Sequence, residues 1–322
     1  MKRTRKKRAL SLGILGLGIF LLILIGLLRS FIVPWVMNPE QFREGKDQLR
    51  SLLFQELEDA SYDAKSLLLE DRSNGEIYLS KKEEEPLLPA SLAKLFVIEY
   101  AATLADLDAI VPARPEAIAM TPPGSSVAAI QAKDYYLRNL FAAMLVPSGN
   151  DAAYVVADYC GGLLSPQTED TAQRIDLFMD NLNGYLSEQG YDNTVLYDPS
   201  GFDENARTTA LDLKSVTDQL LKYSWFRDMV SQSVYTATLP DGSIHTWENT
   251  NLLLDPDSKY YHENVTGIKT GSLSQDYNLL ALYQMYGKEF FICCLGASSD
   301  TARYDAVTNL IRVIDESDYL SG

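Results

Sequence analysis

Positions 9–28 form a mostly apolar run of 20 residues without a charge. A helix rises 1.5 Å per residue, so such a run spans roughly 30 Å, the thickness of a bilayer's hydrocarbon. Six of the seven residues at 2–8 are basic, which predicts a cytoplasmic N-terminus and an outward location for everything after position 28. A cleaved signal peptide would have a shorter apolar core and a small-x-small cleavage site. The flank here reads Arg29-Ser30-Phe31-Ile32-Val33-Pro34-Trp35, and no cysteine nearby offers a lipid anchor. The segment therefore reads as a retained anchor, with Trp35 placed for the interface.

Beyond a short linker marked by Pro34 and Pro39, the apolar period becomes helical over 40–59, where Phe42, Leu49, Leu52, Leu53 and Leu57 share a face. Strand-like runs at 64–69 and 76–80 flank Asn74-Gly75 and predict a hairpin. The middle is mostly helical, at 91–104, 133–145, 151–160, 171–189 and 210–223. Short apolar runs at 265–269, 278–284 and 289–296 predict late strands, the last two joined by a turn at Tyr286-Gly287-Lys288, and a helix over 301–314 follows. Strands at both ends with helices between them predict an α+β fold: an antiparallel sheet assembled from N- and C-terminal segments, packed with helices, plus an inserted mainly helical lobe. The expected layout is a basic tail (1–8), a transmembrane anchor (9–28), a linker with a first helix (29–60) and one large domain (61–322).

Charge sharpens this division. Seven of the 28 basic residues lie in the first thirty positions, so the rest carries 21 bases against 44 acids, a net of −23. So acidic a body excludes a nucleic-acid partner, which needs clustered Lys and Arg on one face. Three cysteines, Cys160 and the adjacent Cys293 and Cys294, are too few for a disulfide framework. On a strand the last two would point to opposite faces, and whether Cys160 pairs with either stays open at this level.

The chemistry sits in three short stretches. Pro89-Ala90-Ser91-Leu92-Ala93-Lys94 opens a predicted helix, and the three-residue spacing stacks Lys94 over Ser91 on one face. A serine hydroxyl needs a neighbour to take its proton, and a lysine can do so only when burial or another cation lowers its pKa. Ser148-Gly149-Asn150 lies between two helices, and Lys269-Thr270-Gly271 ends a predicted strand. Each motif occurs once. Alone, S-x-x-K is a common tetrapeptide whose serine can be a mere helix cap.

The order S-x-x-K, S-x-N, K-T-G resembles the signature of the penicillin-binding proteins and serine β-lactamases. Within that superfamily the chain looks like the low-molecular-mass D-alanyl-D-alanine carboxypeptidases. The similarity runs from about position 64 to 312 and includes Leu68-Leu69-Glu70-Asp71, Asp198-Pro199-Ser200-Gly201-Phe202-Asp203 and Leu295-Gly296-Ala297-Ser298. The resemblance implies a β-lactamase/transpeptidase-like fold and removal of terminal D-alanine from peptidoglycan stem peptides through an acyl-enzyme on Ser91. It also implies Lys94 as base, Ser148 as proton relay and Asn150 as holder of Lys94 and the substrate amide. Lys269 and Thr270 would bind the substrate's terminal carboxylate, with Gly271 and Ser272 beside it, and the backbone N–H groups of Ser91 and Ser272 would form the oxyanion hole. No metal or other cofactor is expected.

Two positions depart from the family pattern: Arg207 stands where a histidine is common, and Leu273 where a threonine is common. Many relatives also carry a C-terminal β-domain and amphipathic anchor, a role the N-terminal helix is expected to take over here.

Three rivals are weighed against this reading. A class A β-lactamase carries its deacylating glutamate in E-x-x-L-N between the second and third motifs; Glu204-Asn205 is the nearest pair, with the wrong spacing. β-Lactams are therefore expected as covalent inhibitors. A Ser-His-Asp hydrolase is disfavoured because His245 and His262 flank no nucleophile elbow. A non-catalytic receptor for wall peptides or β-lactams is disfavoured because all three motifs are intact.

Overall fold

The computed structural model describes residues 39–321. Leu57–Glu316 form one compact unit, and the described residues on either side of it belong to a second. The expected basic tail and membrane segment lie outside the described residues. Among those described, no helix is long and apolar enough to cross a membrane. The first helix, α1, spans Pro39–Asp59, close to its sequence expectation.

A five-stranded antiparallel sheet joins distant parts of the chain, as the terminal placement of strand-like runs predicts. Its N-terminal strands are β1 (Ser66–Asp71) and β2 (Glu76–Lys81), and its C-terminal ones are β7 (Val265–Leu273), β8 (Asp276–Met285) and β9 (Lys288–Ala297), in the order β2-β1-β9-β8-β7. Cys294 sits opposite Leu67 and Cys293 opposite Leu68, so the central contact of the sheet ties residues more than 200 apart in sequence. Inner strands are buried at nearly every position, which explains why they read as continuous apolar runs rather than alternating ones. All three cysteines are free thiols inside the protein, which answers the open pairing of Cys160.

The lobe between the strands contains α2 (Ala93–Leu104), α3 (Pro115–Ala119), α4 (Leu137–Leu145), α5 (Asn150–Leu164), α6 (Thr171–Glu188), α7 (Ala210–Leu220) and α8 (Ser224–Val230). Helix α9 (Asp300–Asp315) packs on β8 and β9. Helix α2 is buried all round from Ala93 to Ala101, because it runs through the main core and packs against α5 and α7. Burying side chains such as Leu95, Phe96 and Ile98 stabilises by about 1.5–3 kcal/mol each, which fixes the helix that carries the first motif.

Four local expectations change. The helix expected from position 91 begins instead with a 3₁₀ turn, Ala90–Leu92, before α2. The helix expected over 133–145 starts only at Leu137, since Asp134–Tyr136 form β4, paired with β3 (Ile110–Pro112). Tyr135 and Tyr136 favour a pleated surface, and the Asn139 side chain accepts from the Tyr136 N–H to cap the shortened helix. Strand β7 continues four residues past 269, so Lys269-Thr270-Gly271 lies inside the strand rather than at its end. A second hairpin, β5 (Val234–Thr238) and β6 (Ile244–Glu248), adds to the expected elements, with alternation around Asp241-Gly242 as its sequence signal.

Candidate active site

Ser91 is half-buried on the 3₁₀ turn, one residue after Ala90, whose φ is +48°. Such a left-handed alanine is strained and persists only where surrounding packing dictates it. Lys94, in the first turn of α2, is completely buried. Its Nζ donates to Ser91 Oγ at 2.9 Å, Asn150 Oδ1 at 2.7 Å and the Ser200 carbonyl at 2.9 Å. Burial pulls its pKa down to about 7, against the opposing pull of the Asp198 and Asp151 carboxylates.

The third acceptor comes from a loop following α6. Asp198 folds it into a tight turn by accepting from Ser200 N at 2.8 Å, Ser200 Oγ and Asp203 N at 2.7 Å. Gly201 adopts φ +78°, and a Cβ there would stand 1.9 Å from the Ala90 carbonyl. Only glycine lets this loop press onto the turn that carries Ser91.

Ser148 and Asn150 meet the site from the junction of α4 and α5. Ser148 is buried with φ +63°, and Asn150 opens α5 with its own N–H bonded to the Ser126 carbonyl at 2.8 Å. Asp151 accepts from Ala128 N at 2.8 Å and Ile130 N at 2.9 Å, locking the neighbouring loop against this junction.

On the third side, Lys269 is 1% exposed on β7 and its Nζ donates to the Thr270 carbonyl at 3.0 Å. Burial drives its pKa well down, helped by repulsion from Lys94 and Arg303. Two buried ammonium groups in mutual repulsion cannot both hold their protons comfortably, so the site favours a neutral amine. A Cβ at Gly271 would lie 2.9 Å from the Pro89 carbonyl, so the glycine allows β7 to pass close to the turn that carries Ser91. Thr270 Oγ1 pairs with Thr250 Oγ1 at 2.7 Å.

Several expected residues therefore converge: Ser91, Lys94 and Asn150 are joined by hydrogen bonds, Ser148 lies two positions before Asn150 in the chain, and Lys269 is near enough to Lys94 for the two cations to repel. Sequence reasoning gave no role to several others. The Ser200 carbonyl is one, since a backbone acceptor has no side-chain signature. Arg303 is another: from α9 its Nη1 donates to Gly271 O at 3.1 Å, Ser272 Oγ at 2.9 Å and Asn278 O at 3.0 Å. Asn278 itself donates to the Leu88 and Pro89 carbonyls at 2.9 and 3.0 Å, tying β8 to the segment that leads into Ser91. Arg207 donates to the carbonyls of Glu204 and Ala206 at 2.6 and 2.7 Å, so it staples its own loop. Both histidines lie in other surroundings: His245 packs against the Tyr135 and Trp247 rings, and His262 stands 3.6 Å from Asp315.

A terminal-segment sheet, an inserted helical lobe and a serine–lysine pair at the base of a buried helix define the DD-transpeptidase class of fold. The sequence profile of peptidase family S11, D-alanyl-D-alanine carboxypeptidase, matches residues 54–297, and the chain belongs to that family. It is 30% identical over 182 residues to a D-alanyl-D-alanine carboxypeptidase of Streptomyces sp. strain K15, a match covering 54% of this chain and 59% of that one. It is 25% identical over 262 residues to D-alanyl-D-alanine carboxypeptidase DacF of Bacillus subtilis, covering 78% and 62%. The chain thus spans about three-fifths of the length of these curated relatives. The crystal structure of the Streptomyces K15 DD-transpeptidase superposes with a TM-score of 0.69 at 24% identity, covering 79% of this chain and 97% of that one. Penicillin-binding protein D2 of Listeria monocytogenes in its ampicillin-bound form gives 0.62 at 21% identity, covering 79% and 98%.

Proposed function

We propose that the protein is a serine-type D-alanyl-D-alanine carboxypeptidase that trims peptidoglycan stem peptides through an acyl-enzyme on Ser91. The observation carrying this reading is the buried Lys94 amine, 2.9 Å from Ser91 Oγ and with a pKa near neutrality.

Each step follows from the site's own groups. A D-Ala-D-Ala terminus brings a carboxylate to Lys269 and Thr270. That negative charge favours a protonated Lys269, and the resulting cation keeps neighbouring Lys94 neutral. Ser91 Oγ attacks the penultimate carbonyl as its proton passes to Lys94 Nζ. The backbone N–H groups of Ser91 and Ser272 receive the negative charge developing on the carbonyl oxygen, an effect commonly worth about 3 kcal/mol. Ser148 relays the proton to the departing D-alanine amine, and Asn150 holds both Lys94 and the substrate amide. Water then cleaves the ester and restores the serine.

A β-lactam carries the same carboxylate and acyl carbonyl, so it acylates Ser91. The Glu204 carboxylate is engaged by Ser274 Oγ rather than by Ser91, which favours slow deacylation and hence inhibition over β-lactamase turnover. Anchoring by the apolar run at 9–28 would place this domain on the outer face of a bacterial cell membrane, where stem peptides lie.

The test incubates the purified protein with a pentapeptide ending in D-Ala-D-Ala and measures free D-alanine, with Ser91→Ala beside it. Release by wild type and none by the variant is expected. Wild type that neither releases D-alanine nor takes a fluorescent penicillin would refute the proposal.

A further inference from the structure

The loop at 198–207 touches both halves of the site, and one of its side chains has no part in the steps above. On the nucleophile's side, the Ser200 carbonyl receives Lys94 Nζ and Gly201 lies against Ala90. On the opposite side, Glu204 Oε1 accepts from Ser274 Oγ, 70 residues away in sequence. Ser274 belongs to the turn leaving β7. Leu273 pairs with Asp276, so the turn is Ser274-Gln275 alone, and Ser274 takes a left-handed φ of +56°. Its place is two residues beyond Ser272.

The main chain under Glu204 is held on both flanks. Asp203 Oδ1 accepts from Asn205 N at 2.7 Å, and Arg207 donates to the Glu204 carbonyl at 2.6 Å. A carboxylate mounted this way is a fixed point against which the turn can be set.

We propose that Glu204 is a positioning residue: by accepting the Ser274 hydroxyl it sets the end of β7, and with it the Ser272 N–H, relative to Ser91 and Lys94. This rests on the acyl-enzyme reading, in which Ser272 is one of two oxyanion donors. Such donors act only at about 2.7–3.1 Å from the developing charge, and small misplacements cost rate steeply.

The test measures acylation of the full chain in detergent by a fluorescent penicillin, separating the bond-forming rate from the apparent binding constant. Glu204→Ala and Ser274→Ala should each slow the bond-forming step about three- to tenfold, the worth of one exposed hydrogen bond, with binding little changed. The double variant should be no slower than the slower single. Glu204→Gln, which keeps an acceptor oxygen, should restore most of the rate.

Wild-type rates in both alanine variants, losses that multiply in the double, or a glutamine variant as slow as alanine would each overturn the inference while leaving the acyl-enzyme reading intact. So would a melting temperature that falls in step with the rate across all variants. A wild type that takes no label would instead overturn the acyl-enzyme reading, and this inference with it.

Discussion

Lys94 shows how little a residue type says before its surroundings are known. In water its amine would hold a proton to about pH 10, whereas complete burial lowers its pKa to about 7. On the proposed mechanism the neutral form accepts the serine's proton, so acylation of Ser91 should fall about tenfold per pH unit below pH 7 and level off above it. A pH series of penicillin-labelling rates checks this. An ascending limb near pH 10, where an ordinary lysine titrates, would remove Lys94 as base. The same shift makes a statement about folding. Between roughly pH 7 and 10 the unfolded chain binds more protons at this residue than the folded one, so its contribution to stability improves as pH rises through that window. Lys94→Ala should reduce acylation by about 10²–10⁴-fold at neutral pH, the usual loss on removing a general base.

At the scale of elements, the site depends on close approaches between backbones. Gly201→Ala would set a methyl against the Ala90 carbonyl while also forcing alanine into a left-handed conformation. Loss of about 2–4 kcal/mol of stability and of most acylation activity is expected. Gly190→Ala is the control, because Gly190 has a similar φ of +81° with nothing within 4 Å of the added methyl. It should cost about 1 kcal/mol and leave the acylation rate of folded protein unchanged. Thermal melts and labelling rates of the two variants separate backbone strain from displacement of the turn that carries Ser91. Equal losses in both would show that the contact with Ala90 does not matter.

Element boundaries also show where local sequence is a weak guide. The strand-like runs at 64–69 and 289–296 were legible because the side chains of β1 and most of β9 are buried on both faces of the sheet. The extension of β7 through Gly271 and Ser272 was not, because a glycine and small polar residues carry no strand signal and are held in line by pairing with β8 and by Arg303. Likewise Asp134–Tyr136 became a strand only because Ile110–Pro112 lay alongside to pair with it.

For the whole molecule, the proposed anchoring would leave a body with a net charge of −23 outside the membrane, behind a basic N-terminal segment. The full chain should stay with the membrane fraction through high-salt washing and leave it in detergent, since a run of 20 uncharged, mostly apolar residues would hold by hydrocarbon burial and not by screened charge. Release by salt alone would eliminate the anchor proposal.

The amino-acid order alone determined the strand-helix-strand plan and the residues able to do chemistry, because apolar period and short motifs are local properties of a chain. It also specified Ser91 and Lys94 as neighbours, since three residues on one helical turn face the same way. Only the tertiary structure decided that Asn150 and Ser200, 56 and 106 residues further on, would meet the same amine, and that Lys269 would lie close enough to repel it. Those contacts, and the removal of water that turns an ordinary ammonium into a candidate base, arise when distant segments pack together, and neither is a property of any stretch of sequence taken by itself.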